Sequence, residues 1–136
     1  MKILQGGFFE DHRGIVSFNN LLDLNLVKRM YVIENIDKEI CRAWQGHQIE
    51  KRWFVAVNGL FEIKVVKIDD FKTPSDKLES ESFVLKGKSM DSLYIEEGHA
   101  TSIQALEPNS KLVVFSDYNL GEIKDDYKFD SQKWKH

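Results

Sequence analysis

The segment RAWQGH, residues 42–47, brings a guanidinium, a carboxamide and an imidazole close together in the chain. An arginine binds anionic oxygen atoms through a planar fork of N–H groups, and a neutral histidine accepts a proton near physiological pH. If the segment is a regular β-strand, Gln45 and His47 share one face, and Arg42 and Trp44 share the other. Gln45 and His47 then point into one pocket, which predicts a site for an anionic, ring-shaped ligand.

Neighbouring β-type runs carry side chains of the same kind. Arg29 and Tyr31 share a face of the preceding run, and Arg52 and Phe54 share a face of the following run. Tyrosine adds an apolar ring and a hydroxyl that takes part in proton transfer. The alternative is purely structural. In that case His47 is a hydrogen-bonded sheet residue, the arginines are surface charges, and the tyrosine packs across strands.

Composition sets the class of protein. The 136 residues, 42% hydrophobic and 30% charged, predict one globular domain over 1–136. The net charge of −3 argues against nucleic acid as a partner, because phosphate binding needs a basic surface. The single cysteine, Cys41, excludes an internal disulfide and a multi-cysteine zinc site. We see no signal peptide and no run near the ~20 apolar residues of a membrane-spanning helix, so we expect a cytoplasmic protein without a membrane partner.

Short alternating runs dominate the chain, and long amphipathic helical patterns are absent. The predicted strands are 14–18, 27–34, 42–47, 52–57, 60–68, 82–85, 92–95, 102–106 and 111–116. Asn58-Gly59 between two of these strands is a strong hairpin signal. The polar stretch 69–81 is predicted to be a surface loop, and the tail 122–136 a short helix or an arm packed on a barrel. The pattern predicts an all-β, antiparallel sandwich or jelly roll.

The order of several motifs resembles the cupin-type sugar isomerases and epimerases that act on dTDP-4-keto-6-deoxyhexoses, a WxcM-like family. This group contains the dTDP-sugar 3,4-ketoisomerases and, more distantly, the dTDP-4-dehydrorhamnose 3,5-epimerases. The resemblance spans nearly the whole chain. It is carried by Asp11-His12-Arg13-Gly14, Val27-Lys28-Arg29-Met30-Tyr31, residues 42–47 in place of R-G-x-H-A-H, Asn58-Gly59, Ser116-Asp117-Tyr118 and Asp126-Tyr127-Lys128-Phe129-Asp130.

The resemblance implies a cupin-type double-stranded β-helix (a jelly-roll barrel) that forms a homodimer and binds a nucleotide-linked sugar for deoxysugar or cell-surface polysaccharide biosynthesis. It implies a reaction without metal or cofactor, in which a base removes a proton beside a keto group and an enediol(ate) forms. His47 is the implied base, with Tyr31 or Tyr118 as the acid. The implied substrate-binding residues are Arg13, Arg29, Arg42, Gln45, Arg52, His99 and Thr101.

The sequence departs from the family pattern at two histidines. Gln45 stands at the first histidine of H-A-H, and Thr101 stands at a later histidine. Since glutamine does not accept a proton at neutral pH, a sugar-nucleotide-binding cupin without catalysis is an alternative. His99 shares a face with Thr101 if no bulge intervenes. A third alternative is a different, metal-using cupin, which needs more ligands than His47 provides.

Overall fold

The computed structural model describes residues 1–135, and the terminal His136, expected from its position to be inert, lies outside them. These residues form twelve strands and two short 3-10 helices, Leu24–Leu26 and Gly87–Ser89. The strands are β1 (Lys2–Leu4), β2 (Gly7–Asp11), β3 (Gly14–Phe18), β4 (Arg29–Ile33), β5 (Cys41–His47), β6 (Arg52–Asn58), β7 (Leu60–Lys67), β8 (Ser80–Lys86), β9 (Ser92–Ile95), β10 (His99–Ala105), β11 (Lys111–Ser116) and β12 (Tyr127–Lys128).

Two five-stranded antiparallel sheets form the barrel. Their strand orders are β1-β9-β6-β11-β4 and β12-β5-β10-β7-β8, and β2 and β3 form a separate hairpin. Sequential strands alternate between the two sheets along much of the chain, as in a jelly roll. The all-β, antiparallel prediction is confirmed.

The interior of the barrel is apolar at one end and polar at the other. Phe54 on β6 and Phe61 on β7 are fully buried in the core between the sheets. Because side chains alternate along a strand, Arg52 points inward on the same face as Phe54. Arg52 and His47 lie at the end of the barrel opposite the Asn58–Gly59 turn and are buried as well. Burial of polar groups is unfavourable unless they have partners. This polar end of the barrel is therefore a candidate for a ligand-binding site.

The predicted hairpin at Asn58-Gly59 is confirmed and joins β6 to β7. Gly59 has a φ of 76°, a conformation that favours glycine, and a Cβ at this position would collide with Ser110. The Ser110 hydroxyl accepts a hydrogen bond from the main-chain N–H of Leu60 at 3.0 Å. The turn is therefore fixed both by its own conformation and by the loop packed on it.

The C-terminal tail forms an arm on the outer face of the second sheet, and no helix is present between residues 122 and 135. The ring of Trp134 packs edge-on against Trp44, with centroids 5.4 Å apart. Both indole N–H groups donate to main-chain oxygens at 2.7 Å, Trp44 to Lys133 and Trp134 to Ser75. These contacts tie the arm to β5, the strand that carries the predicted site.

Most predicted strands agree with the structure, and three match to the residue: Gly14–Phe18, Ser92–Ile95 and Lys111–Ser116. The predicted loop over 69–81 is wrong at its end, because β8 begins at Ser80. β10 begins at His99 rather than at residue 102. The short strands β1, β2 and β12 were not predicted. β1 and β12 pair with strands that are distant in sequence, whereas β2 pairs with the neighbouring β3.

Candidate functional site

A cavity of about 870 Å³ opens where the β4 edge of the first sheet faces β5 and β12 of the second. This volume is typical of small-molecule sites. The polar residues in its wall include five of the predicted site residues and one residue of the arm. They are Tyr31, Arg42, Gln45, Arg52, Thr101 and Lys128.

A β-bulge in β5 sets the direction of its polar side chains. Gln45 pairs with Thr101 of β10, whereas Arg42 pairs with Ile103, so β5 has one extra residue between these pairs. The extra residue brings Arg42 to the face that Gln45 occupies. Trp44 points to the opposite face, against the arm. The prediction that Arg42 and Trp44 share a face is therefore wrong, because regular alternation does not continue through the bulge.

Arg52 is the most deeply buried charged residue of the cavity wall, with 2% of its surface exposed. Its Nη2 donates to Thr101 Oγ1 at 3.0 Å, and its guanidinium carbon lies 4.9 Å from the centroid of the Phe54 ring. Among residues 1–135, no carboxylate forms an ion pair with it. Burial lowers the pKa of Arg52, yet a guanidinium in a protein stays charged. A buried cation without a bound anion is unfavourable, so this part of the cavity suits an anionic oxygen.

His47 ends β5 and is 5% exposed. Its Nδ1 lies 2.9 Å from the main-chain oxygen of Asp125, so Nδ1–H donates and Nε2 carries the free lone pair. Nε2 is buried and has no hydrogen-bond partner among the residues that the structure describes. Gln45 and His47 lie on the same face of β5, as predicted, but only Gln45 lines the cavity.

Charges around His47 determine its protonation. Burial lowers the pKa of its imidazole below 6.5, and the positive charge of Arg52 lowers it further. Three carboxylates raise it in part: Nδ1 lies 3.5 Å from Glu50 Oε2, 3.9 Å from Asp125 Oδ2 and 3.7 Å from Asp126 Oδ1. The lowering prevails, so the ring is neutral at pH 7 and can act as a base.

Three acidic residues of the site were not predicted. Glu50 is buried, and its Oε1 forms an ion pair with Arg29 Nη2 at 3.2 Å. Arg29 is therefore linked to His47 by way of Glu50 and does not line the cavity. Asp126 accepts a hydrogen bond from Gln45 Nε2 at 3.3 Å. Asp125 contacts His47, as described above. Asp126 lies in a motif that carried the family resemblance, whereas nothing in the sequence around Glu50 or Asp125 indicated their burial.

His99 and Thr101 share a face of β10, and the register with β7 is continuous between them. Only Thr101 belongs to the cavity. His99 borders a separate depression of about 410 Å³. Its Nδ1 lies 3.1 and 2.9 Å from the main-chain oxygens of Glu96 and Glu97, which hold the ring in place. The structure therefore separates His99 from the other predicted substrate-binding residues.

Arg13 and Tyr118 also lie outside the cavity wall. Arg13 sits in the exposed turn between β2 and β3, where its Nη2 pairs with Asp11 Oδ2 at 2.7 Å. Tyr118 follows β11, and the Nζ of Lys28 lies 5.8 Å from the centroid of its ring. The structure of the single chain therefore does not bring these two predicted residues to the cavity.

Within 1–135, no three or more His, Cys, Asp or Glu side chains are grouped so that they could hold a metal ion. In that range the structure also has no helix with the length and apolar character needed to cross a membrane. That the reaction needs no metal stays a prediction, which elemental analysis of the purified protein tests.

Solved structures with the same fold include nucleotide-sugar isomerases and epimerases. A mutant of the 3,4-ketoisomerase QdtA from Thermoanaerobacterium thermosaccharolyticum, in complex with TDP-4-keto-6-deoxyglucose, is 21% identical with a TM-score of 0.72, covering 94% of this chain and 86% of that one. The TDP-quinovose 3,4-ketoisomerase WlaRB from Campylobacter jejuni is 21% identical with a TM-score of 0.67, covering 93% and 92%. The dTDP-4-dehydrorhamnose 3,5-epimerase from Bacillus anthracis is 16% identical with a TM-score of 0.72, covering 91% and 75%.

These similarities confirm the cupin-type jelly-roll barrel. A search of curated protein sequences found no match to this chain. The family model FdtA, described as WxcM-like, C-terminal, matches residues 2–136, which is nearly the whole chain. The resemblance drawn from the sequence motifs and the match of the family model agree. The chain belongs to the WxcM-like, C-terminal family.

Proposed function

We propose that the protein is a nucleotide-sugar isomerase or epimerase that acts on a dTDP-4-keto-6-deoxyhexose in the cytoplasm, by proton transfer without a metal. The observation that carries the proposal is the cavity beside β5. Arg42, Arg52 and Tyr31 lie in its wall, and His47, with a neutral ring and an unpartnered Nε2, lies two residues along β5 from the wall residue Gln45. Family membership and the fold shared with ketoisomerases and epimerases support the same reaction class.

The cavity offers different groups to the two ends of such a ligand. Arg42 and Lys128 are exposed on its rim and suit the diphosphate, because both carry charge that need not be desolvated. Tyr31 and Phe129 provide aromatic surface for a ring. The buried Arg52 suits the oxygen of the keto group, on which negative charge develops during the reaction.

In the proposed mechanism, His47 Nε2 removes the proton from the carbon beside the keto group. The electron pair of the C–H bond moves into the keto group, and Arg52 stabilises the resulting enediolate oxygen. Of the two predicted acids, Tyr31 lies in the cavity wall and is the proposed acid. It delivers its phenolic proton to the former keto carbon, while the proton of the adjacent hydroxyl passes to the enediolate oxygen, so that the carbonyl moves to the carbon that lost its proton. Protonated His47 then returns a proton to the Tyr31 phenolate. Because His47 is not in the wall, proton transfer to His47 requires the wall to shift when substrate binds; catalytic contacts often tighten only in the complex.

Incubation with dTDP-4-keto-6-deoxyglucose in deuterated water tests the proposal. We expect deuterium to enter the sugar at a carbon beside the keto group, because a base that exchanges its proton with solvent returns deuterium. Mass spectrometry detects the added mass, and NMR identifies the carbon. A sugar that is recovered without deuterium and unchanged in structure would count against this substrate.

A second candidate function is sugar-nucleotide binding without catalysis. The observation that favours it is Gln45, which occupies the cavity wall and is hydrogen-bonded to Asp126 where family members carry a proton-transferring histidine. This candidate predicts that dTDP binds, for example in a calorimetric titration, while no ketosugar exchanges a proton. Binding together with deuterium incorporation excludes it.

We further propose a homodimer in which the β2–β3 hairpin of one subunit packs on the other. Phe9 and Val16, which pair across this hairpin, are 60% and 65% exposed in the single chain. Exposed apolar surface of this kind commonly marks an interface.

Light scattering on the purified protein is expected to give twice the 15.9 kDa mass of the chain. The double change Phe9→Glu and Val16→Glu is expected to give a monomer, because two carboxylates cannot be buried in the apolar contact. Val84→Glu is a matched control: Val84 is 59% exposed on β8, outside the hairpin, so this variant is expected to remain a dimer. A wild-type mass of one chain contradicts the dimer.

A further inference from the structure

Asp125 lies in the charged C-terminal tail and yet is only 5% exposed. Its carboxylate accepts hydrogen bonds from three consecutive main-chain N–H groups, those of Gln48, Ile49 and Glu50, at 2.8, 2.9 and 2.7 Å. These residues form the turn that follows β5. Three charge-assisted hydrogen bonds to one carboxylate hold this turn firmly against the arm.

The main chain of the same residue fixes the ring of His47. The carbonyl oxygen of Asp125 lies 2.9 Å from Nδ1, and a carbonyl oxygen only accepts hydrogen bonds. Nδ1 must therefore carry the proton in the neutral ring, and Nε2 is left with the lone pair. The buried, unpartnered state of Nε2 is a second and independent observation, since a buried polar atom normally has a partner.

We propose that Asp125 is a positioning residue: it holds His47 as the Nδ1–H tautomer and so makes Nε2 the nitrogen that accepts the substrate proton. The assignment of the tautomer does not depend on catalysis, whereas the proton transfer rests on the proposed function. In that step the substrate C–H bond breaks, its proton forms the Nε2–H bond, and the electron pair enters the keto group. The imidazolium then keeps its Nδ1–H bond to Asp125, and Glu50 Oε2, 3.5 Å from Nδ1, stabilises its charge.

Charged and titratable groups face His47 from each neighbouring element. Glu50 follows on the same turn, Arg52 lies on β6, His99 pairs with His47 from β10, and Asp125 and Asp126 belong to the arm. Removing the negative charge of Asp125 removes a contribution that raises the pKa of His47. Because the neutral ring is the base, the acid limb of the pH–rate profile then moves to lower pH.

The substitution Asp125→Asn tests the proposal, because asparagine keeps the size of the side chain but replaces one acceptor oxygen by a donor. In ¹⁵N-histidine NMR of the full chain, we expect wild-type His47 to be the Nδ1–H tautomer and the variant to contain both tautomers. We expect kcat for dTDP-4-keto-6-deoxyglucose to fall about 10–100-fold with KM little changed, since misplacement of a catalytic group affects the chemical step. The acid limb should move to lower pH.

Asp70→Asn is the matched control. Asp70 also accepts two main-chain N–H bonds, from Lys72 and Thr73, but in an exposed loop, so this variant should keep the wild-type tautomer and kcat. An Asp125→Asn protein with an unchanged tautomer and kcat overturns the proposal, even if it is less stable. If that variant does not fold, the wild-type spectrum decides, because an Nε2–H ring overturns the proposal. A shifted tautomer without wild-type activity refutes the proposed function and leaves the positioning role intact.

Discussion

Replacement of His47 by asparagine is expected to lower the rate of deuterium incorporation into dTDP-4-keto-6-deoxyglucose by about 10²–10⁴-fold, the range lost when a general base is removed. His47 is the residue at the polar end of the barrel that combines burial, a lowered pKa and a free ring nitrogen. Gln45, its neighbour on the same face of β5, accepts no proton at neutral pH and cannot replace it. The measurement is the initial rate of deuterium uptake, followed by mass spectrometry at saturating substrate.

Two controls separate loss of the base from loss of the site. The affinity for dTDP should change little in His47→Asn, because the rim residues Arg42 and Lys128 remain. Asp70→Asn, a substitution in an exposed loop, should leave the rate unchanged. An unaltered rate in His47→Asn contradicts the assignment of the base.

The pH dependence gives an independent check on His47. Burial and Arg52 place its pKa below the 6.5 of a free imidazole, so the neutral base is present at pH 7 and the wild-type rate should fall only below pH 6.5. The same shift affects folding. Since the unfolded chain binds the proton more tightly, the stability contributed by neutral His47 is complete above pH 6.5 and is lost as the pH falls from there through the folded-state pKa.

The fold was largely predictable because its signals are local. Alternating apolar residues identified most strands, and Asn58-Gly59 identified a hairpin whose glycine the structure requires. The two-residue strand β12 was missed because two paired residues produce no alternating pattern. β12 forms because the C-terminal arm packs on β5. The arm is held there by the contact of Trp134 with Trp44, two residues that are far apart in sequence.

The site was only partly predictable, because long-range contacts decide which side chains meet. Alternation placed Arg52 correctly, since β6 is regular where it begins, but it failed for Arg42 at the β5 bulge. His47 was recognised by residue type, whereas its depth is set by Asp125, which is 78 residues away in sequence. No periodic pattern in either segment indicates such a contact. The burial and the tautomer of His47 could therefore be inferred only from the folded structure.

Replacement of Arg52 by methionine is expected to make the protein more stable and much less active. Arg52 is 2% exposed, packs over the Phe54 ring and has no carboxylate bound to it within residues 1–135. Apolar replacements of buried charged groups often raise the free energy of unfolding by about 1–4 kcal/mol, and urea unfolding at pH 7 measures this change. The proposed loss of the group that stabilises the enediolate oxygen is expected to lower kcat by about 10²–10³-fold.

A rise in stability together with a fall in kcat distinguishes an arginine that serves the reaction from an arginine that stabilises the fold. If Arg52 held the barrel together, Arg52→Met would lower stability, and activity would fall only as far as folding does. If Arg52 bound the diphosphate instead, the affinity for dTDP would fall and kcat would be retained. Arg52→Lys keeps the charge but loses the planar fork that reaches Thr101, so it should retain part of kcat. A stabilised Arg52→Met protein that binds dTDP normally and exchanges no proton would indicate that the unpaired charge is kept for the reaction, at a cost to stability.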